Sequence, residues 1–280
     1  MRWPRVRCIN FSFYRVTRAY FEVLHEWGIF SVIQVSRAIN LMPFLVALQF
    51  LTIFPVHTAV MPDDQDQASS LEWYGVIGLL IGVVVAIAGS VLDGIFSPSV
   101  CAALVLTLWV LITGALHIDG LGDSIDAMFG SSRERSLQIM KDPRCGPMAA
   151  TGIALILLLM HAGITQIAIT GNWFVIIAIP IFARISAQCL LLSTPYARVD
   201  GIGSSMVVGM DRERVIIAAT VVGLVAFVII GFSNWYVIAA LAILFIGLRS
   251  LMIRKLLGCT GDTAGALIVL TEVFGIILVS

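Results

Sequence analysis

The chain has 280 residues, 59% of them hydrophobic and 12% charged, about half the charged share of an ordinary soluble domain. A water-soluble fold is excluded. Seventeen Lys and Arg offset seventeen Asp and Glu, so no basic field draws nucleic acid, no acidic tail binds cations, and partners must be argued from local sites.

Residues 1–41 carry six Arg and no long apolar run. They do not read as a secretory signal, because the apolar stretch comes too late after the basic one. A bilayer-spanning helix needs about 20 mostly apolar residues, since every backbone polar group must be satisfied within the segment. Stretches 38–62, 73–92, 94–118, 145–183 and 215–248 hold no Asp, Glu, Lys or Arg, and the two longest are broken by Gly171-Asn172 and by Gly231-Phe232-Ser233-Asn234. The predicted cores are 43–60, 74–92, 99–117, 148–169, 173–193, 215–231, 235–251 and 263–280. The expected fold is all-α, a polytopic helical membrane protein of roughly six to eight segments, with residues 42–280 as a single integral membrane catalytic domain.

The connections sort by parity. Loops 61–72, 118–147, 194–214 and 252–262 hold nearly all the charge, whereas 93–98, 170–172 and 232–234 hold only Asp93. Arg133, Arg135, Lys141, Arg144, Arg198, Arg212, Arg214, Arg254 and Lys255 assign the charged face to the cytoplasm by the positive-inside rule. The Arg-rich N-terminus belongs on that face too, which a spanning first segment forbids. Two solutions stand: Pro55 makes segment 43–60 re-entrant or shallow, or residues 1–41 are an extension from an upstream start codon, with Met42 the real beginning. Cys8, Cys101, Cys145, Cys189 and Cys259 lie far apart, with no C-x-x-C and no paired His, so they read as small apolar fillers rather than a disulfide framework or zinc site.

Chemistry concentrates after the third segment, in His117-Ile118-Asp119-Gly120-Leu121-Gly122-Asp123-Ser124-Ile125-Asp126. If the helix continues, Asp119, Asp123 and Asp126 fall at i, i+4 and i+7, in one column. Like charges at that spacing repel unless a cation sits among them, and hard oxygen ligands suit Mg²⁺ or Mn²⁺. A polar helix end solvated at the headgroups is the plainer alternative; the chain's economy with charge favours the metal. His117 is placed to act as acid or base or to bind phosphate. Downstream, Lys141, Asp142 and Arg144 precede a Pro/Gly-bounded turn, and such cations suit a pyrophosphate or a transferred phosphoryl group. Arg133 and Arg135 fit anionic headgroups at least as well. Arg184 lies too deep in its segment to snorkel, so a phosphate or an Asp is its expected partner. Thr260-Gly261-Asp262-Thr263 opens the last helix, where Asp262 reads equally as a helix cap or as part of an anion site. His161 reads as a hydrogen-bonded core residue.

Together these strings resemble the cobalamin synthase family, the membrane adenosylcobinamide-GDP ribazoletransferases. The resemblance runs from Leu48-Gln49-Phe50-Leu51-Thr52-Ile53-Phe54-Pro55-Val56 through Gly75-Val76-Ile77-Gly78, the His117–Asp126 string and Ile139-Met140-Lys141-Asp142. It continues in Tyr196-Ala197-Arg198, Asp200-Gly201-Ile202-Gly203 and Thr260–Ala266, and covers about residues 45–280. Gly75, Gly122 and Ala127 stand where the family usually has Pro, Ala and Gly, and none of these departures removes an ionisable group. The resemblance implies that a ribose hydroxyl of α-ribazole or its 5′-phosphate attacks the cobinamide-side phosphorus of adenosylcobinamide-GDP and expels GMP. It implies Mg²⁺ on Asp119, Asp123 and Asp126, one of them doubling as base, with His117 and Asp262 completing the site and Lys141, Asp142, Arg144, Arg184 and Arg198 on substrate. Two rivals are a CDP-alcohol-type lipid phosphotransferase, which also uses an Asp cluster at a helix end, and an ion-coupled transporter, which predicts paired broken helices in the two halves.

Overall fold

The computed structural model describes residues 41–54, 56, 62–198 and 202–280. The expectations on residues 1–40, on Pro55 and on Asp200-Gly201 fall outside the described residues. In chain order the α-helices are α1 (Met42–Leu51), α2 (Asp64–Ser69), α3 (Tyr74–Leu92), α4 (Pro98–Ile112), α5 (Leu116–Met128), α6 (Arg133–Ile139), α7 (Pro147–Thr170), α8 (Ala178–Ser193), α9 (Ile202–Gly209), α10 (Arg212–Ile230), α11 (Trp235–Leu256) and α12 (Gly261–Val279). No β-strand occurs among the described residues. Six helices are long and apolar enough to cross a membrane, and a seventh span results if the bent pair α4–α5 counts as one. The chain is a multi-pass membrane protein. With ten residues, α1 is about 15 Å long, too short to cross.

Packing is set by small residues. Gly78 and Gly82 of α3 lie so close to α8 and the 3₁₀ turn before it that a Cβ on either would come within 2.5 Å of a backbone carbonyl, Pro180 O or Ile177 O. This Gly-x-x-x-Gly face lets two backbones approach where lipid supplies no hydrophobic drive between helices. Helices α8 and α12 are buried on most sides and form the centre, while α10 and α11 expose most of their apolar surface to the bilayer.

The charged connections meet at one end. Arg133 Nε donates to Leu256 O (2.7 Å) and its Nη2 to Ala197 O (3.2 Å), Lys255 Nζ donates to Gly130 O (2.7 Å), and Arg198 Nη2 pairs with Asp262 (2.6 Å). Arg133 thus ties loops together, a role the headgroup reading did not foresee. At the opposite end, Trp173 Nε1 donates to Asp93 Oδ2 (3.0 Å).

Two expectations are corrected. The third segment, expected to run to 117, stops at Ile112, and Gly114 and Ala115, both left-handed at φ 60° and 56°, turn the chain by 86° into a separate helix, α5. The corner is internally satisfied, with Gly114 N–H bonded to Leu111 O and Ala115 N–H to Val110 O. The cysteine expectation holds for Cys101 and Cys259, which are buried, but Cys145 is exposed and fills nothing.

Candidate functional site at the charged end of the bundle

Helix α5 is wedged between the N-terminal turns of α7 and α12. A Cβ on Gly120 would lie 2.8 Å from Asp262 O, and one on Gly265 would lie 3.3 Å from His117 Cα, so α5 and α12 run in opposite senses where they touch. Across its other flank Gly122 meets Ala149 and Ile153. Asp119, Asp123 and Asp126 keep the predicted i, i+4, i+7 column because all three lie within one regular helix. The opposite face is apolar: Leu121, Ile125 and Met128 line a cleft of about 130 Å³ together with Leu248 and Met252. Being tightly bent from α4 and lying at the charged end, α5 stands outside the six long spans.

The three carboxylates have different environments. Asp119 is the most open of the three but still partly shielded by the bundle, in the first turn of α5, where the helix dipole favours an anion. Asp126 accepts from Gly146 N–H (2.7 Å, Oδ2) and Ala149 N–H (3.1 Å, Oδ1), which makes it the N-terminal cap of α7 from a distance. Asp123, half-buried between them, has its carboxyl pushed up to about 7, first by burial and then by the negative charges of Asp262 and Asp119, with Arg198 partly opposing. Burial also raises Asp119. The site therefore centres on Asp123, with Asp119, Asp262 and Arg198 around it.

The other expected members divide. The cap of α12 is Thr260, in a reciprocal box with Thr263, so Asp262 is free of that duty and pairs with Arg198 instead. His117 is buried against α12, two residues and hence about 200° round the helix from Asp119, so the structure turns it away from the acidic face. Asp142 and Arg144 bond each other (2.9 and 2.5 Å), and Arg144 holds the Asp142 carboxyl down at about 2. With the Arg144 side chain 87% exposed, that pair adds little stability. Lys141 is exposed beside them. His161 is hydrogen-bonded as expected, its Nε2 lying 3.0 Å from Ser99 O, but it is only partly buried and not a core residue.

Arg184 departs most from expectation. It is fully buried, and its partner is neither a phosphate nor an Asp but Glu272 of α12. Ser186 and Thr271 hydroxyls lie 3.2 Å apart beside this pair. Glu272 was missed in the sequence, although the signal was available: it is the one charged residue in 263–280, and an ionisable group inside an apolar span demands a partner.

For a divalent cation, the donor chemistry fits in part. Asp119 and Asp123 offer hard oxygens one turn apart, and the like-charge repulsion that adds to burial in raising Asp123 is what a cation would relieve. Among the described residues, however, no three His, Cys, Asp or Glu side chains form a group that could hold a metal ion, and both Asp126 oxygens are engaged. Of the trio expected to share one ion, Asp126 is thus bonded to the amides that open α7, while Asp119 and Asp123 keep the hard oxygens that would suit one.

Fold and site define a membrane-embedded helical protein with one half-buried carboxylate and Arg cluster at the charged end of its bundle. The family model described as cobalamin-5-phosphate synthase matches residues 43–280, and the chain belongs to that family. Similar curated proteins are adenosylcobinamide-GDP ribazoletransferase of Pseudomonas fluorescens SBW25, 42% identical over 83% of this chain and 97% of its own, that of Pseudomonas putida KT2440, 44% identical over 83% and 95%, and that of Stutzerimonas stutzeri A1501, 37% identical over 83% and 95%. No solved structure matches the chain.

Proposed function

We propose that this protein is an adenosylcobinamide-GDP ribazoletransferase of the bacterial cytoplasmic membrane, joining α-ribazole or its 5′-phosphate to adenosylcobinamide-GDP, releasing GMP and giving adenosylcobalamin or its 5′-phosphate. The observation that carries the chemistry is Asp123 held near 7 among Asp119, Asp262 and Arg198. The names of the relatives and the span of the family match favour this reading over a lipid phosphotransferase. The Lys and Arg of the connections that meet at one end support placing the site on the cytoplasmic face.

In this reading the ribose hydroxyl oxygen bonds to the cobinamide-side phosphorus as the bond from that phosphorus to the GMP oxygen breaks. The hydroxyl proton passes to a carboxylate of the α5 column. Arg198 donates to the phosphate oxygens, as would Lys141 and Arg144, which lie exposed at the same end. Asp119 and Asp123 would hold Mg²⁺, which when bound supplies charge neutralisation at the leaving phosphate.

Purified protein in liposomes, given Mg²⁺, adenosylcobinamide-GDP and α-ribazole, is expected to release GMP; no release would overturn the reading. A pH dependence follows as well. Below about pH 7 Asp123 is protonated and serves neither as proton acceptor nor as ligand, so kcat/KM should fall towards acid, and this limb should move to lower pH as Mg²⁺ is raised, because proton and cation compete for one carboxylate. An acid limb insensitive to Mg²⁺ would remove Asp123 from the ligand set.

A further inference from the structure

The segment before Arg198 is fastened to the start of α12 twice. Backbone bonds Ala197 N–H to Cys259 O (2.7 Å) and Cys259 N–H to Pro195 O (2.9 Å) hold the two strands of chain together without any side chain. Separately, Tyr196 Oη accepts from Gly261 N–H (3.2 Å), one of the orphan donors at a helix start. The phenol reaches that donor because Gly203, at the start of α9, has no side chain: a Cβ there would lie 2.3 Å from Oη and 2.4 Å from Cζ. The peptide fixed by this bond leads directly into Asp262, which accepts from Arg198 Nη2 at 2.6 Å. Arg198 Nε is buried with no hydrogen-bond partner among the described residues, so the guanidinium has a donor unspent, and its charge is felt at Asp123.

We propose that Tyr196 is a positioning residue: its hydroxyl, seated over Gly203, sets the first turn of α12 so that Asp262 aims the Arg198 guanidinium at the phosphate undergoing transfer. This role rests on the activity proposed above. It concerns aim and not folding. The backbone staple and the Thr260/Thr263 box hold the same segments when the hydroxyl is gone.

The test is a double-mutant cycle on the full-length protein in liposomes, read as GMP release. Tyr196→Phe is expected to lower kcat about tenfold, the order expected for losing one hydrogen bond that aligns a reacting group, with KM for both substrates and the unfolding temperature in detergent unchanged. Gly203→Ala, which keeps the hydroxyl but displaces the ring, should give the same loss. Because Tyr196 acts through Arg198, Tyr196→Phe combined with Arg198→Ala should be no slower than Arg198→Ala alone. Wild-type kcat in Tyr196→Phe, a loss confined to KM, or losses that multiply in the double variant would each overturn the proposal while leaving the activity standing. No GMP from the wild-type protein would instead end the activity reading, and this role with it.

Discussion

Asp123→Asn is expected to abolish turnover, lowering GMP release by at least about 10²-fold, the scale on which removal of one preorganised charged group acts in a desolvated site, while membrane insertion and yield stay at wild-type levels. The substitution preserves shape and removes a negative charge from a crowded cluster. Since burial and the neighbouring Asp262 and Asp119 all disfavour the ionised carboxylate, the Asn protein should be at least as stable as the parent, and stability and activity should move in opposite directions. GMP release together with thermal unfolding in detergent measures both. An Asn variant retaining a tenth or more of the activity would show that the acidic column is not where the reaction occurs.

The second large effect concerns folding. Glu272→Gln leaves the fully buried Arg184 facing an amide in place of a carboxylate. Breaking such a pair from one side costs about 3–5 kcal/mol, because the remaining charge is neither solvated nor neutralised. A hydrogen bond between spans is worth only about 1–2 kcal/mol, so the charge and not the bond dominates. The variant is expected to lose most of its folded, detergent-extractable protein. Arg184→Met combined with Glu272→Leu should recover it, since apolar replacement of both partners removes the unpaired charge. If the recovered double variant also releases GMP at the parental rate, Arg184 is a structural residue; a folded but inactive double variant would return it to the substrate-binding set.

Helices that answer to composition alone were legible in the sequence. The cores 74–92, 148–169 and 235–251 lie within a few residues of α3, α7 and α11, because lipid imposes the length and the apolar character together. The parity of charged connections likewise matched the bonds that join them. The corner between α4 and α5 was hidden, since Gly114 is one among 24 glycines and nothing about Ala115 announces a left-handed residue. The column of carboxylates was read correctly as a face of a helix, but their division of labour was not. Asp126 is spent on amide groups about twenty residues further along, a partnership of side chain with distant backbone that leaves no pattern in the sequence. Arg184 reads from the sequence as a buried cation in need of a partner, and that partner, Glu272, is masked by the apolar run 263–280 around it.

The ion pair between α8 and α12 also has an order in time. Glu272 follows Arg184 by 88 positions, so during synthesis the guanidinium enters the bilayer well before its counter-ion leaves the ribosome. Until α12 arrives between its neighbours, the nascent bundle carries a stranded positive charge at its centre, and the closing helix acts as the latch that makes the earlier ones tenable.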